Sequence, residues 1–222
     1  MVDGLLVIAV GYLLGSVPWG FYVVKGCKGL DIRKVGSGNI GATNVLRAVG
    51  PGWGGAVLCL DVAKGVLAVL FSRWVGGDPL LHAVAGAAAI AGHTWTFWLS
   101  FRGGRGVATG LGVLIALSPL VAAIAGLAFL LVVVVTRYVS LGSITASVVA
   151  AVAAYLDTPY RPYQVMITLA AALIVYRHVP NFRRLLRGEE PKLGKAGDTS
   201  RAHNSGVKSA VCTESPPPDL PD

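Results

Sequence analysis

Six stretches of this chain approach or exceed the roughly 20 apolar residues that a helix needs to cross a bilayer. They cover about 4–24, 53–75, 79–100, 107–136, 140–156 and 162–178. Backbone that enters lipid must satisfy its own hydrogen bonds, and a helix does so within one segment. The composition agrees, with 54% hydrophobic and 14% charged residues, where a soluble domain carries about 25% charged. The chain therefore reads as an all-α integral membrane protein. Its first stretch runs into a basic loop without an A-x-A cleavage pattern, so it is kept as a span rather than a removable signal.

The fourth stretch decides the number of crossings. At 1.5 Å per residue its roughly thirty positions would reach about 45 Å, against a hydrocarbon core of about 30 Å. Ser118-Pro119 lies in its middle, where a helix kinks or ends. Lys25, Lys28, Arg33, Lys34 and Arg47 mark the first loop as cytoplasmic, and Arg102 and Arg105 mark the third. If 107–136 crosses twice, Arg137 and the basic stretch from Arg177 to Lys195 also fall inside. The expectation is about seven transmembrane helices, with the N-terminus outside and the C-terminus cytoplasmic. Residues 1–187 form the transmembrane domain, and 188–222, polar and Pro-rich at Pro216-Pro217-Pro218, form a disordered tail without a catalytic role.

Two polar islands separate the apolar stretches. One reads Gly36-Ser37-Gly38-Asn39-Ile40-Gly41-Ala42-Thr43-Asn44, with Arg47 beyond; the other holds Gly92-His93 and then Arg102-Gly103-Gly104-Arg105-Gly106. Glycines let backbone N–H groups turn toward an oxyanion, and arginines add charge. The first island matches G-x-G-x-x-G, but no βαβ unit surrounds it, and Ala42 stands where a Walker loop needs lysine. A plain turn between helices is the alternative there. The second is harder to explain as charge anchoring alone, because a helix starting near Val107 adds free N–H groups and a positive dipole end.

Other residues carry chemistry with less specificity. His93 ends the third stretch, where imidazole serves as a base, as an oxyanion donor or simply as a bonded structural group. Asp61 and Lys64 lie three apart on one helix and should pair within the membrane. Ser140 and Ser143 share a helix face. There is no H-x-x-x-x-D and no G-x-S-x-G. Without an activated nucleophile, binding and oxyanion stabilisation are the natural mechanism. Cys27, Cys59 and Cys212 are far apart and form no CxxC, so neither a disulfide nor a zinc site is expected. The net charge of +8 sits in interhelical loops and the tail, which suits the cytoplasmic leaflet and anionic ligands, not nucleic acid. No internal repeat supports an inverted-repeat carrier.

Together these residues resemble a family. Gly15-Ser16-Val17-Pro18-Trp19-Gly20, Asp31-Ile32-Arg33, both islands, Asp61 with Lys64-Gly65, Arg137 to Leu141, and Arg177-His178 with Asn181, Arg184 and Gly188 resemble the bacterial acyl-phosphate-dependent glycerol-3-phosphate acyltransferases. The resemblance runs in order from about 12 to 190 and excludes the tail. It implies transfer of a fatty acyl group from acyl phosphate to the sn-1 hydroxyl of glycerol 3-phosphate, giving lysophosphatidate and phosphate, the first acylation of phospholipid synthesis. It implies a monomer in the bacterial cell membrane with a cytoplasm-facing site and no metal or cofactor. By position it makes His93, Ser37, Asn39 and Arg105 catalytic. Gly38, Thr43, Asn44, Arg47, Lys64, Arg102, Gly103, Gly104, Gly106, Ser143, His178 and Asn181 would bind substrate. The family's second signature usually reads Gly-Gly-Lys-Gly; Arg105 here replaces a compact ammonium with a planar fork. An organic-phosphate carrier and an acyl-phosphate phosphatase are the competing readings.

Overall fold

The computed structural model describes residues 2–194. Among them it forms ten α-helices, two short 3-10 turns and no strand. The helices are α1 (Val2–Ser16), α2 (Trp19–Lys28), α3 (Ala42–Val49), α4 (Pro51–Val75), α5 (Pro79–Thr94), α6 (Val107–Leu117), α7 (Pro119–Thr136), α8 (Val139–Asp157), α9 (Arg161–Arg177) and α10 (Val179–Leu186). The stretch 195–222, the bulk of the expected disordered tail, lies outside the described residues.

Local chemistry sets most boundaries. Asp78 caps α5, its carboxylate accepting from Leu80 N–H at 2.8 Å, with Pro79 in the first turn. The long fourth stretch breaks at Ser118: its hydroxyl accepts from Val121 N–H, and Pro119 opens α7. The first stretch is also interrupted, at Pro18, into α1 and α2. The third ends at Thr94, six residues before the expected 100. Tertiary bonds end it: Gly104 N–H and Gly103 N–H return to the carbonyls of His93 and Thr94 at 3.0 and 3.1 Å, satisfying acceptors that a longer helix would have used.

Four stretches are long and apolar enough to cross a membrane: Val2–Lys28, Pro51–Val75, Pro119–Thr136 and Val139–Asp157. The bent pair α9–α10, with 49° between its halves, makes a fifth, and α6 is a shorter apolar helix. Large apolar side chains cover the outside; on α7 alone Leu120, Leu127, Leu130, Leu131, Val134 and Val135 are exposed. Water would oppose a surface of that kind, whereas lipid accepts it.

Inside, small residues bring backbones close. A Cβ on Gly65 would fall on the Thr109 carbonyl of α6, and one on Gly112 on the Val62 carbonyl of α4. The main core joins Val69, Ala83, Val113, Leu117, Ala150 and Met166. A second cluster (Val24, Ile32, Ile40, Val45, Val57, Leu99) seats the loop before α3 against α2 and α4. The bundle has two unlike ends. At one, Arg73 donates to the Ala116 carbonyl, Ser118 to Asp157, and Tyr163 to His82, each within 2.5–2.7 Å. At the other, the two polar islands meet the segment 177–194.

Residues 188–194, placed in the polar tail by composition, are folded against the bundle. Leu193 N–H donates to the Arg137 carbonyl at 2.7 Å, and Arg137 Nε returns a bond to the Leu193 carbonyl at 3.0 Å. Glu190 is only 8% exposed. Partners distant in sequence, Arg47 and Arg137, hold this stretch, which local composition cannot register.

Candidate functional site

The first island is built around one side chain. Asn44, on the first turn of α3, is buried, and its Oδ1 accepts from Ser37 N–H at 3.1 Å. Its Nδ2 donates to the carbonyls of Val35 and Asn39 at 2.9 and 2.8 Å, and more weakly to Ile32. Gly36 holds a positive φ of 57° beside that amide, where any Cβ would strike Asn44 Oδ1. The amide is committed to holding the loop, and Ser37, Asn39 and Thr43 are left lining the cavity. Asn44→Ala strands buried backbone carbonyls at about 1–3 kcal/mol each. The expected outcome is loss of most activity from a protein whose helical content, by circular dichroism, is unchanged. Wild-type activity would contradict this role.

The second island is pinned from two sides. Its N–H groups bond to the end of α5, and Arg177 Nη2 donates to the carbonyls of Gly103 and Gly104 at 3.2 and 3.1 Å. Gly104 packs on the His93 ring so closely that a Cβ would overlap Nε2. Gly106 then takes a left-handed φ of 83° and starts α6, whose N-terminus faces the cavity.

Between the islands lies a cavity of about 490 Å³. Its polar end presents Arg47, Arg105, His178, Asn181, Arg184 and Glu190. Its body is apolar, with Leu114, Ala125, Phe129, Ala150, Met166 and Ala170 from α6 to α9. Burial first, and then neighbouring Arg184, Arg177 and Arg47, pull the Arg105 guanidinium down to about 10, against the opposing pull of Glu190. Burial likewise lowers Arg47. Glu190 moves the other way. Burial alone would raise its carboxyl, but hydrogen bonds from Asn181 and Arg184 outweigh that and hold it below its ordinary value. Asn181 Nδ2 and Arg184 Nε reach the two carboxylate oxygens at 2.7 and 2.8 Å. This end is a cationic, donor-rich seat for an anion.

Of the residues expected from sequence, His93, Ser37, Asn39, Arg105, Thr43, Asn44, Arg47, Gly106, Ser143, His178 and Asn181 all border this cavity. Gly38, Gly103 and Gly104 shape its loops from behind, and Arg102 is exposed, outside the lining. Lys64 also stands outside the lining; its ammonium pairs with Asp61 at 2.8 Å and reaches His93 Nδ1 at 2.8 Å. Arg177, Arg184, Ser140 and Glu190 were not on the expected list. Glu190 had one available signal, as part of the first acidic pair after the arginines of α10.

The family described as glycerol-3-phosphate acyltransferase matches residues 5–188. A glycerol-3-phosphate acyltransferase of Desulforudis audaxviator is 47% identical over 188 residues, covering 85% of this chain and 94% of the relative. Glycerol-3-phosphate acyltransferase 2 of Moorella thermoacetica is 50% identical over 192 residues, covering 86% and 98%. Among solved structures, the crystal structure of PlsY (YgiH), an integral membrane glycerol 3-phosphate acyltransferase, in its glycerol 3-phosphate form aligns with a TM-score of 0.82 at 40% identity, over 90% of this chain and 98% of that one. Its lysophosphatidic acid form aligns at 0.77 and 37% identity, over 86% and 95%.

Proposed function

The chain belongs to the glycerol-3-phosphate acyltransferase family, and on that premise we propose that it moves a fatty acyl group from acyl phosphate to the sn-1 hydroxyl of glycerol 3-phosphate. The products are 1-acylglycerol 3-phosphate and inorganic phosphate. It is an integral membrane acyltransferase of phospholipid synthesis. The observation that carries the substrate assignment is the two-part cavity: an arginine-rich end suits phosphate, and a body of Leu114, Phe129, Ala150 and Met166 suits an acyl chain.

Acyl phosphate is a mixed anhydride, so no enzyme nucleophile is required. The hydroxyl oxygen attacks the carbonyl carbon, the bond to the phosphate oxygen breaks, and the departing phosphate takes the hydroxyl proton. The protein's task is to hold two anions together and meet charge as it develops. In this reading Arg47 and Arg105 hold glycerol 3-phosphate with His178 and Asn181. Ser37, Asn39 and Thr43 meet the leaving phosphate from one side, with the loop of Gly103 to Gly106 opposite. Ser143 borders the site from α8, and His93 polarises the acyl donor or orders the glycine loop. No metal or cofactor enters.

We further infer seven crossings, N-terminus outside, with a cytoplasmic site in the bacterial plasma membrane and a monomer as the working unit. Support comes from which loops meet. Arg47 bonds to the Pro191 carbonyl, Arg177 to the glycine loop and Arg137 to Leu193, so these three basic segments gather at one end. The turns near 76, 118 and 158 gather at the other, as alternate crossings require.

The test is acyl transfer by purified protein with labelled glycerol 3-phosphate and either palmitoyl phosphate or palmitoyl-CoA. Lysophosphatidate is expected from the phosphate donor alone. Product from the CoA donor would overturn the donor assignment. Phosphate release without glycerol 3-phosphate would favour a phosphatase, and counterflow of glycerol 3-phosphate in proteoliposomes would favour a carrier.

A further inference from the structure

Three charged or titratable side chains lie at the heart of the bundle, at 3–4% exposure: Asp61, Lys64 and His93. Lys64 Nζ faces three electron-rich atoms, Asp61 Oδ1 at 2.8 Å, His93 Nδ1 at 2.8 Å and the Val17 carbonyl at 3.1 Å. That carbonyl is available because Pro18 interrupts the first helix there. An ammonium has three donors and no acceptor, so it donates to the imidazole nitrogen and to the carbonyl, and holds Asp61 as an ion pair. Asp61 Oδ1 is 3.7 Å from His93 Nδ1, beyond hydrogen-bond reach, and therefore acts on the imidazole through Lys64.

We propose that Lys64 is a positioning residue that fixes His93 as the neutral imidazole with a bare Nδ1 and a protonated Nε2, making His93 a hydrogen-bond donor to an oxygen of the acyl phosphate and not a proton acceptor. This rests on the acyltransferase reading above. The logic is short. Nδ1 receives a hydrogen bond from a group that only donates, so it must offer its lone pair. The remaining proton of a neutral ring then belongs to Nε2. Nε2 lies on the face of Gly104, where the absence of a Cβ leaves it room, and His93 is one of the residues that line the cavity. The backbone carbonyl of the same histidine accepts from Gly104 N–H, so one residue both holds the glycine loop and aims a donor beside it. Lys64 itself stays outside the cavity lining.

The primary test needs no turnover. In 15N-histidine-labelled protein at neutral pH, protonated and bare ring nitrogens have well separated shifts. The His93 signals, assigned by their loss in His93→Gln, are expected to show a bare Nδ1 and a protonated Nε2. A protonated Nδ1 would overturn the proposal. Because this reading is spectroscopic, a protein that makes no lysophosphatidate would defeat the functional assignment and leave the tautomer assignment intact. Kinetics supply the second arm. His93→Gln offers an acceptor to Lys64 and an amide donor to the cavity, and it should keep at least about a tenth of kcat. His93→Leu offers neither and should lose on the order of 10²-fold. Equal inactivity of the two in folded protein would point to a base and overturn the proposal. Lys64→Met should lower kcat about tenfold or more, with KM for glycerol 3-phosphate unchanged, and show both tautomers in the 15N spectrum. A single unchanged tautomer in Lys64→Met would also count against the proposal.

Discussion

Arg105→Met is expected to lower kcat/KM for glycerol 3-phosphate by about 10²–10³-fold, the usual loss when one preorganised charge donor is removed from a transition-state seat. Arg105 sits half-covered at the polar end of the cavity among Arg47, Arg177 and Arg184, with Glu190 the carboxylate facing them. Methionine keeps the volume and removes the fork. Helical content and detergent elution should stay as in the wild type, so that the loss is chemical. A folded variant retaining more than about a tenth of wild-type activity would show that the other arginines suffice.

Arg105→Lys separates charge from shape. At neutral pH it should retain most activity, because the charge remains. The surroundings that pull the guanidinium down to about 10 penalise any cation, burial first and the neighbouring arginines next. An ammonium begins lower, near 10.4 unperturbed, and the same surroundings would lower it further. The cation is the working form and is lost as pH rises through its folded value. Activity of Arg105→Lys should therefore fall at a lower pH than that of the wild type, which holds toward pH 10. Superimposable alkaline limbs in the two proteins would remove Arg105 from the phosphate seat.

Much of this architecture is legible in the chain because local signals are strong. The apolar stretches give the helices, Ser118-Pro119 gives the break between α6 and α7, and the spacing of Asp61 and Lys64 gives their pair. What escapes local reading is whatever a distant partner decides. Trp95 to Ser100 is apolar enough to prolong α5, yet bonds from Gly103 and Gly104 stop it at Thr94. Glu190 belongs to a polar stretch, yet Arg47 and Arg137 hold that stretch on the bundle through Pro191 and Leu193. Asn44 reads as one more polar ligand in a glycine-rich loop, and only the folded loop shows its amide turned inward on Ser37, Val35 and Asn39. The link from Lys64 to His93 joins residues 29 apart, with no periodicity between them to announce it.

Gly112→Ala should destabilise the bundle by about 2–4 kcal/mol, at or beyond the upper end for overpacking, because the obstacle is backbone. Its Cβ would overlap the Val62 carbonyl and press on Val66 N–H in α4. Across the same interface a Cβ on Gly65 would meet the Thr109 carbonyl and Val113 N–H in α6. The two helices run together with each glycine receiving the other's backbone, so neither substitution can be relieved by turning a side chain. Both helices would have to separate, and α6 carries the Gly103 to Gly106 loop at its start. Gly65→Ala should therefore behave like Gly112→Ala, and both should lose activity along with stability. Gly126 on α7 is the control, since a Cβ there meets nothing within 4 Å. Gly126→Ala should fall within about 0.5 kcal/mol of the wild type, as substitutions away from packed features do. Thermal unfolding in detergent at one scan rate checks all three, with a drop of roughly 5–10 °C expected for the interface pair. Equal midpoints for Gly112→Ala and Gly126→Ala would mean that α4 and α6 are not held in this close approach.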